Sequence, residues 1–142
     1  MTESARNYLI FTLSGQRYAF HLAQVLEVVE RPATWPIPLA PPCYHGAMNF
    51  HGTIVAVMDL AKFLGLPGGQ GSDNVIVLDT RIAALAFSVE GISRITPQVQ
   101  TELSRTPGDE DFALGNLNLP EGMVVLLDAA AIAEHAAETI NG

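Results

Sequence analysis

Two aspartates, Asp59 and Asp128, stand at the ends of similar apolar runs and are separated by 69 positions. Two carboxylates that face one cleft could serve as acid and base in glycoside or aspartyl chemistry. An aspartate directly after a strand is also a preferred helix N-cap, and capping requires no second carboxylate. We predict that both residues cap helices, because residues 54–63 and 123–132 each run from an apolar segment through the aspartate into helix-forming residues.

The four histidines and the single cysteine show no pattern typical of a metal site or a catalytic centre. His21, His45, His51 and His135 lack the His-x-x-x-His or Cys-x-x-Cys spacing of local zinc sites. Cys43 follows two prolines in an acidic chain, whereas a reactive thiolate needs electropositive surroundings. We therefore expect no metal, no cofactor and no nucleophilic cysteine.

Composition and charge exclude several classes of function. The chain has 142 residues, of which 49% are hydrophobic, so it can bury the core of an ordinary domain. Its net charge is −8 and Lys62 is its only lysine, whereas nucleic-acid binding needs clustered cations. The N-terminal residues lack the apolar core of a secretory signal, and no apolar stretch is long enough to span a membrane. We expect a cytoplasmic protein with no nucleic-acid partner and no direct membrane insertion.

Alternating apolar residues and turn signals predict a protein built from short strands. Residues 8–13 and 18–22 alternate on either side of a Ser-Gly-Gln turn, and residues 85–89 repeat the pattern. Five prolines within residues 32–42 favour an extended connection. The predicted strands cover 8–13, 18–22, 25–30, 46–50, 53–58, 74–78, 83–89, 112–119 and 123–127. Short strands without long intervening helices favour an antiparallel, barrel-like all-β fold over a parallel α/β fold.

The repeated strand-aspartate-helix segments indicate two similar halves within one domain. We place the two lobes at approximately 14–66 and 74–130, joined by a glycine-rich linker at 65–73. A short helix is predicted for 59–64, with Gly65 in position to end it, and an alanine-rich helix for 129–138.

The order of these segments resembles the CheW-like coupling proteins of bacterial chemotaxis over almost the whole chain. Its most specific part is a Gly-x-x-Asn-x-x-Gly motif, formed by Gly46, Asn49 and Gly52 and followed by a strand that ends in Asp59-Leu60. The resemblance implies a single CheW-like domain over 1–142, all-β, with two SH3-like five-stranded barrel lobes, short helices and a C-terminal helix.

The same resemblance implies a non-catalytic adaptor without a cofactor. Its expected partners are the cytoplasmic tip of a chemoreceptor and the regulatory domain of a CheA-type histidine kinase. The partner-binding residues that the resemblance implies are Val25, Glu27, Val28, Gly46, Asn49, His51 and Gly52. For Val25 and Val28, an ordinary role in the core is the alternative.

Three departures from the family pattern bear on partner binding. His51 stands where the family usually has arginine, Ala56 where it has proline, and residues 89–92 read Val-Glu-Gly-Ile where it has Val-Asp-x-Val. The family arginine can pair with a glutamate matched here by Glu27, whereas a histidine carries charge only near or below its own pKa.

Two alternatives to the adaptor function stay open: a module of the same fold that binds only one partner as a competitor or regulator, and a small hydrolase.

Overall fold

A computed structural model describes residues 7–30, 32–67, 74–97, 102–104, 112–120 and 122–141. Within those residues the chain forms eleven strands, a short 3₁₀ turn and two helices. The strands are β1 (Asn7–Leu13), β2 (Gln16–His21), β3 (Val25–Glu30), β4 (Tyr44–Phe50), β5 (Thr53–Asp59), β6 (Asn74–Leu78), β7 (Leu85–Val89), β8 (Gly91–Pro97), β9 (Glu102–Ser104), β10 (Ala113–Leu119) and β11 (Gly122–Leu127). The 3₁₀ turn is Leu22–Gln24, and the helices are α1 (Leu60–Phe63) and α2 (Ala129–Asn141).

The strands form two sheets. Sheet A has the order β8-β1-β2-β11-β10-β9, and sheet B has the order β3-β6-β7-β5-β4. The expected all-β class, with short helices and a C-terminal helix, is confirmed. Sheet B has the five expected strands, whereas sheet A gains the short β9 as a sixth.

The two sheets are interleaved along the chain, so the lobe boundaries 14–66 and 74–130 do not separate them. Sheet A takes the first hairpin, β1–β2, together with strands from the end of the chain. The reason is parallel pairing: Tyr18 on β2 aligns with Val125 on β11, and Phe87 on β7 aligns with Met58 on β5. The hairpin β1–β2 therefore completes sheet A, whose other strands come from the second half of the chain, and the hairpin β6–β7 completes sheet B, whose other strands come from the first half. Most of the predicted linker, residues 68–73, lies outside the described residues.

The internal repeat predicted from the sequence extends to the strand register. Tyr44 faces Met58 in the β4–β5 pair, and Ala113 faces Leu127 at the equivalent positions of β10–β11. In both pairs the register shifts just before a glycine, Gly46 or Gly115, with φ of 155° and 156°. The similarity of the two halves is thus confirmed in backbone geometry.

Apolar side chains form three clusters. One lies between the sheets and includes Phe11, Phe20, Met58, Phe87 and Leu127. A second lies on the other face of sheet A and consists of Tyr8, Ile10, Ala19, Leu117, Leu119, Val124 and Leu126. The third lies on the other face of sheet B and consists of Met48, Phe50, Val55, Val57, Val75, Val77 and Ala86. Because the central cluster draws on both sheets, the two lobes pack as one unit.

Candidate partner-binding face

The turn between β4 and β5 presents His51 at its tip. Phe50 pairs with Thr53, so the loop holds only His51 and Gly52, whose φ angles are 50° and 87°. Two consecutive positive φ values define a type I′ turn, in which histidine is better tolerated than most residues. Asn49 Oδ1 accepts a hydrogen bond from the Gly52 amide at 2.8 Å. Asn49 therefore fixes the turn that displays His51.

Glu27 reaches His51 from the opposite edge of sheet B. A register shift between Val25 and Glu27 distorts β3 at this point. His51 Nε2 lies 3.7 Å from Glu27 Oε1, and the side chains are 75% and 50% exposed. β3 and β4 are the two outer strands of sheet B, so the contact connects its edges. An exposed pair of this kind contributes only about 0–1 kcal/mol to stability.

The structure separates the seven predicted site residues into surface and interior positions. Glu27, Asn49, His51 and Gly52 are exposed and lie close together. Val25 and Val28 are half-buried and pack against the central cluster.

Gly46 is buried against the loop that precedes β4. A Cβ built on Gly46 would lie 2.5 Å from the carbonyl oxygen of Trp35. That carbonyl accepts a 2.8 Å hydrogen bond from the Ala47 amide, and the Trp35 amide donates to Ala47 O at 2.9 Å. The glycine is therefore required by a close approach of two backbone segments, and its side of the strand is not available to a partner.

One exposed apolar residue beside these positions was not singled out from the sequence. Ile54 is exposed and is the register partner of Asn49 across the β4–β5 hairpin. The sequence could have identified Ile54: a two-residue turn at 51–52 pairs residue 50 with 53 and residue 49 with 54, and paired residues lie on the same side of a hairpin. We call the set Glu27, Asn49, His51, Gly52 and Ile54 the candidate face. It combines an apolar anchor with a carboxylate, an imidazole and an amide.

The two aspartates that could have formed a catalytic pair cap separate helices, as predicted. Asp59 Oδ1 accepts from the Lys62 amide at 3.2 Å, and Asp128 Oδ1 accepts from the Ala131 amide at the same distance. Gly65, with φ of 75°, follows α1 in the expected C-terminal capping position. These hydrogen bonds account for both carboxylates without any catalytic role.

Cys43 borders a cavity of about 250 Å³ that is also lined by Pro42, Tyr44, His45, Asp59 and Lys62. Burial raises the pKa of the Cys43 thiol and outweighs the lowering by a backbone hydrogen bond, while the smaller effects of Asp59 and Lys62 raise and lower the pKa respectively. A raised pKa reduces the thiolate fraction, which is the nucleophilic form. Among the described residues, no group of three or more His, Cys, Asp or Glu side chains could hold a metal ion.

Two further titratable groups have shifted pKa values. Hydrogen bonds from Arg81, which lies 2.8 Å away, lower the pKa of Asp79 to about 2 in the exposed turn between β6 and β7. Burial lowers the pKa of His21 at the end of β2, and the negative charge of Asp128 partly opposes that effect. Neither group belongs to the candidate face. No helix in the described part of the chain is long and apolar enough to cross a membrane.

Comparison with known proteins gives matches over most of the chain. The family model described as the CheW-like domain matches residues 7–137. Chemotaxis protein CheW of Thermotoga maritima is 25% identical over 130 residues, covering 89% of this chain and 86% of that protein. Chemotaxis protein CheW of Bacillus subtilis is 22% identical over 137 residues, covering 92% and 88%. The crystal structure of the scaffolding protein TtCheW from Thermoanaerobacter tengcongensis shares the fold, with a TM-score of 0.77 at 20% identity, covering 90% of this chain and 92% of that one.

Proposed function

The chain belongs to the CheW-like domain family, and we propose that it is a non-catalytic cytoplasmic adaptor that couples chemoreceptors to a CheA-type histidine kinase. The observation that carries this proposal is the match of the CheW-like domain model to residues 7–137. Chemotaxis proteins and a scaffolding protein are among its relatives. The expected partners are the cytoplasmic tip of a receptor and the regulatory domain of the kinase.

The candidate face supports a binding role. Glu27 and His51 are exposed, and their contact spans the two edges of sheet B. A partner that covers this region would desolvate the apolar side chain of Ile54 and could hydrogen bond to the polar groups around it. Such an adaptor acts by holding two proteins together, so no residue needs to transfer a proton or form a covalent bond.

A module of the same fold that engages one partner is the second candidate, and His51 favours it. The family's usual arginine can hold a glutamate at any physiological pH, whereas a neutral imidazole forms a weaker contact. The 3.7 Å separation between His51 and Glu27 is longer than a hydrogen bond. If the candidate face binds one of the two partners, the weak contact between His51 and Glu27 would reduce the affinity for that partner and leave the other interaction intact.

Pairwise titrations with each purified partner test the proposal. We expect the receptor fragment and the kinase regulatory domain each to bind the wild-type chain with about micromolar affinity or tighter, as signalling contacts of modest area do. Glu27→Lys should weaken at least one of these interactions. Glu30→Lys is the matched control, because Glu30 is exposed at the end of the same strand.

The pattern of results separates the candidates. Binding of one partner alone favours the competitor module. Binding of neither partner, together with hydrolysis of ester or peptide substrates, would refute the adaptor function and support the hydrolase alternative.

A further inference from the structure

The internal repeat extends to the outer surface, where it places two exposed apolar side chains at equivalent positions. Ile54 and Met123 are 69 positions apart and follow equivalent hairpin turns. Ile54 pairs with Asn49 across β4–β5, and Met123 pairs with Asn118 across β10–β11. Ile54 is 58% exposed and Met123 is 54% exposed, so within one chain neither side chain covers the other.

The two sheets carry opposite charges at a second pair of equivalent positions. The order β3-β6-β7-β5-β4 of sheet B matches the order β8-β1-β2-β11-β10 of sheet A, so β3 corresponds to β8. Each of these strands has a register shift, and the first paired residue after the shift is Glu27 in β3 and Arg94 in β8. Both residues are exposed. Equivalent positions therefore hold a carboxylate in one sheet and a guanidinium in the other.

The residues of sheet A that correspond to Glu27, Asn49 and Ile54 form a second face, which we call the matching face: Arg94, Asn118 and Met123. In sheet B, Glu27 reaches the turn between β4 and β5, where its carboxylate lies 3.7 Å from His51. Because the two sheets share their strand order and hairpin register, the same path brings Arg94 toward the turn between β10 and β11. Both faces therefore combine an apolar side chain, an amide and a charge.

A second copy of this chain offers the candidate face both an apolar and an electrostatic complement. Contact between Ile54 and Met123 would remove apolar surface of both side chains from water. Glu27 would then lie beside Arg94, and opposite charges across a contact favour that pairing. Two candidate faces packed together would instead bring two Glu27 carboxylates close to each other, which disfavours a symmetric contact.

We propose that the candidate face of one copy docks on the matching face of a second copy, with Ile54 against Met123 and Glu27 beside Arg94. Such a contact is heterologous, so each pair of copies leaves one face of each kind open. Further copies can then add, giving a ring if the rotation between neighbours closes and an open filament if it does not. This inference goes beyond the adaptor function, because self-association would compete with any partner that binds the candidate face.

The association should be weak. Each copy carries a net charge of −8, so copies repel one another, and salt at about 0.15 M screens part of this repulsion. Two hairpin turns in contact bury less area than a standard protein interface. We therefore expect a dissociation constant on the order of 0.1 mM at this salt concentration.

Sedimentation equilibrium of the full chain measures this association. The weight-average mass should rise with concentration between about 10 μM and about 1 mM and should exceed that of a dimer at the upper end. Ile54→Ser and Met123→Ser should each weaken association by about tenfold, as loss of an interface anchor does. Leu114→Ser is the matched control, because Leu114 is 41% exposed on β10 at the end far from the turn, and it should leave association unchanged.

Charge reversal tests which faces meet. Glu27→Arg gives a copy with a cation on both faces, and Arg94→Glu gives a copy with a carboxylate on both faces, so each variant alone should associate several-fold more weakly than wild type. An equimolar mixture of the two variants should regain wild-type association, because every contact between unlike copies then pairs opposite charges. A fold defect in either variant would not be repaired by mixing, and circular dichroism of each variant checks its fold.

Each outcome decides for or against the contact. A chain that stays monomeric while it binds a receptor fragment or a kinase domain would overturn the self-association and leave the adaptor function intact. A mass that levels off at a dimer, or a mixture of charge variants that does not regain association, would overturn the head-to-tail pairing. Association with the expected mutational pattern in a chain that binds neither partner would support this inference and refute the adaptor function.

Discussion

The equivalence of the two halves predicts that Val57 and Leu126 have the same structural role. The residues are 69 positions apart, and each faces the repeat's bulge glycine, Gly46 or Gly115, across a hairpin. Val57 is 1% exposed in the cluster of sheet B, and Leu126 is 0% exposed in that of sheet A. Truncating either residue to alanine should therefore open a cavity in a different lobe.

The expected costs follow from the atoms removed. Val57→Ala deletes two methyl groups at about 0.8 kcal/mol each, and the residual cavity brings the total to about 2 kcal/mol. Leu126→Ala deletes one carbon more and should cost about 3 kcal/mol. Each kcal/mol should lower the Tm by about 3–4 °C in a chain of this size. Because the two residues lie in separate clusters, the cost of the double mutant should equal the sum of the two single costs to within about 0.5 kcal/mol.

Urea denaturation followed by circular dichroism measures these costs. Ile54→Ala is the matched surface control, since Ile54 lies on β5 with Val57 but is exposed, and it should cost well under half as much. Gln70→Ala, in the predicted linker outside the described residues, should cost almost nothing. Negligible effects at both Val57 and Leu126 would refute the duplicated core, and strong non-additivity would contradict their placement in separate clusters.

Three further outcomes are expected. His51→Arg should strengthen partner binding near neutral pH by several-fold at most in binding titrations, because arginine is charged at every physiological pH and can hold Glu27; an unchanged affinity would make His51 a bystander. Gly46→Ala should cost about 1–3 kcal/mol in urea denaturation, because its Cβ would collide with the Trp35 carbonyl, and an unchanged midpoint would contradict that close approach. Burial lowers the pKa of His21 in the folded state, so the contribution of the neutral imidazole to stability is present above about pH 6.5 and is lost as the pH falls through the folded-state pKa. His21→Gln should therefore flatten the pH dependence of Tm in this range. An unchanged pH dependence would show that His21 is not its source.

Much of the fold could be predicted from local patterns. The predicted bounds of β3 and β6 match the structure, because alternating or continuous apolar residues end there at clear turn or linker signals. The capping roles of Asp59 and Asp128 were also predictable, since a cap depends on its immediate neighbours. Two strands, β8 and β9, were missed. The Gly-Ile-Ser-Arg-Ile-Thr-Pro sequence of β8 is polar and ends in proline, and β9 has only three residues.

Long-range features could not be predicted in the same way. The exchange of hairpins between the sheets depends on parallel pairing of β2 with β11 and of β5 with β7, and no local pattern specifies a distant strand partner. The need for Gly46 arises from the backbone of Trp35, eleven positions earlier, which reaches it through an irregular loop. The contact between Glu27 and His51 was expected only from the family resemblance, and the 3.7 Å approach shows that the fold brings them together.

A retention assay tests the proposed bridging of a receptor and a kinase by this chain. A chemoreceptor tip fragment is immobilised, and the kinase regulatory domain is passed over it with and without the chain. Coupling predicts that the kinase domain is retained only when the chain is present, in an amount that rises with the amount of chain bound. Retention that is unaffected by the chain, or that decreases as the chain is added, would contradict the adaptor function.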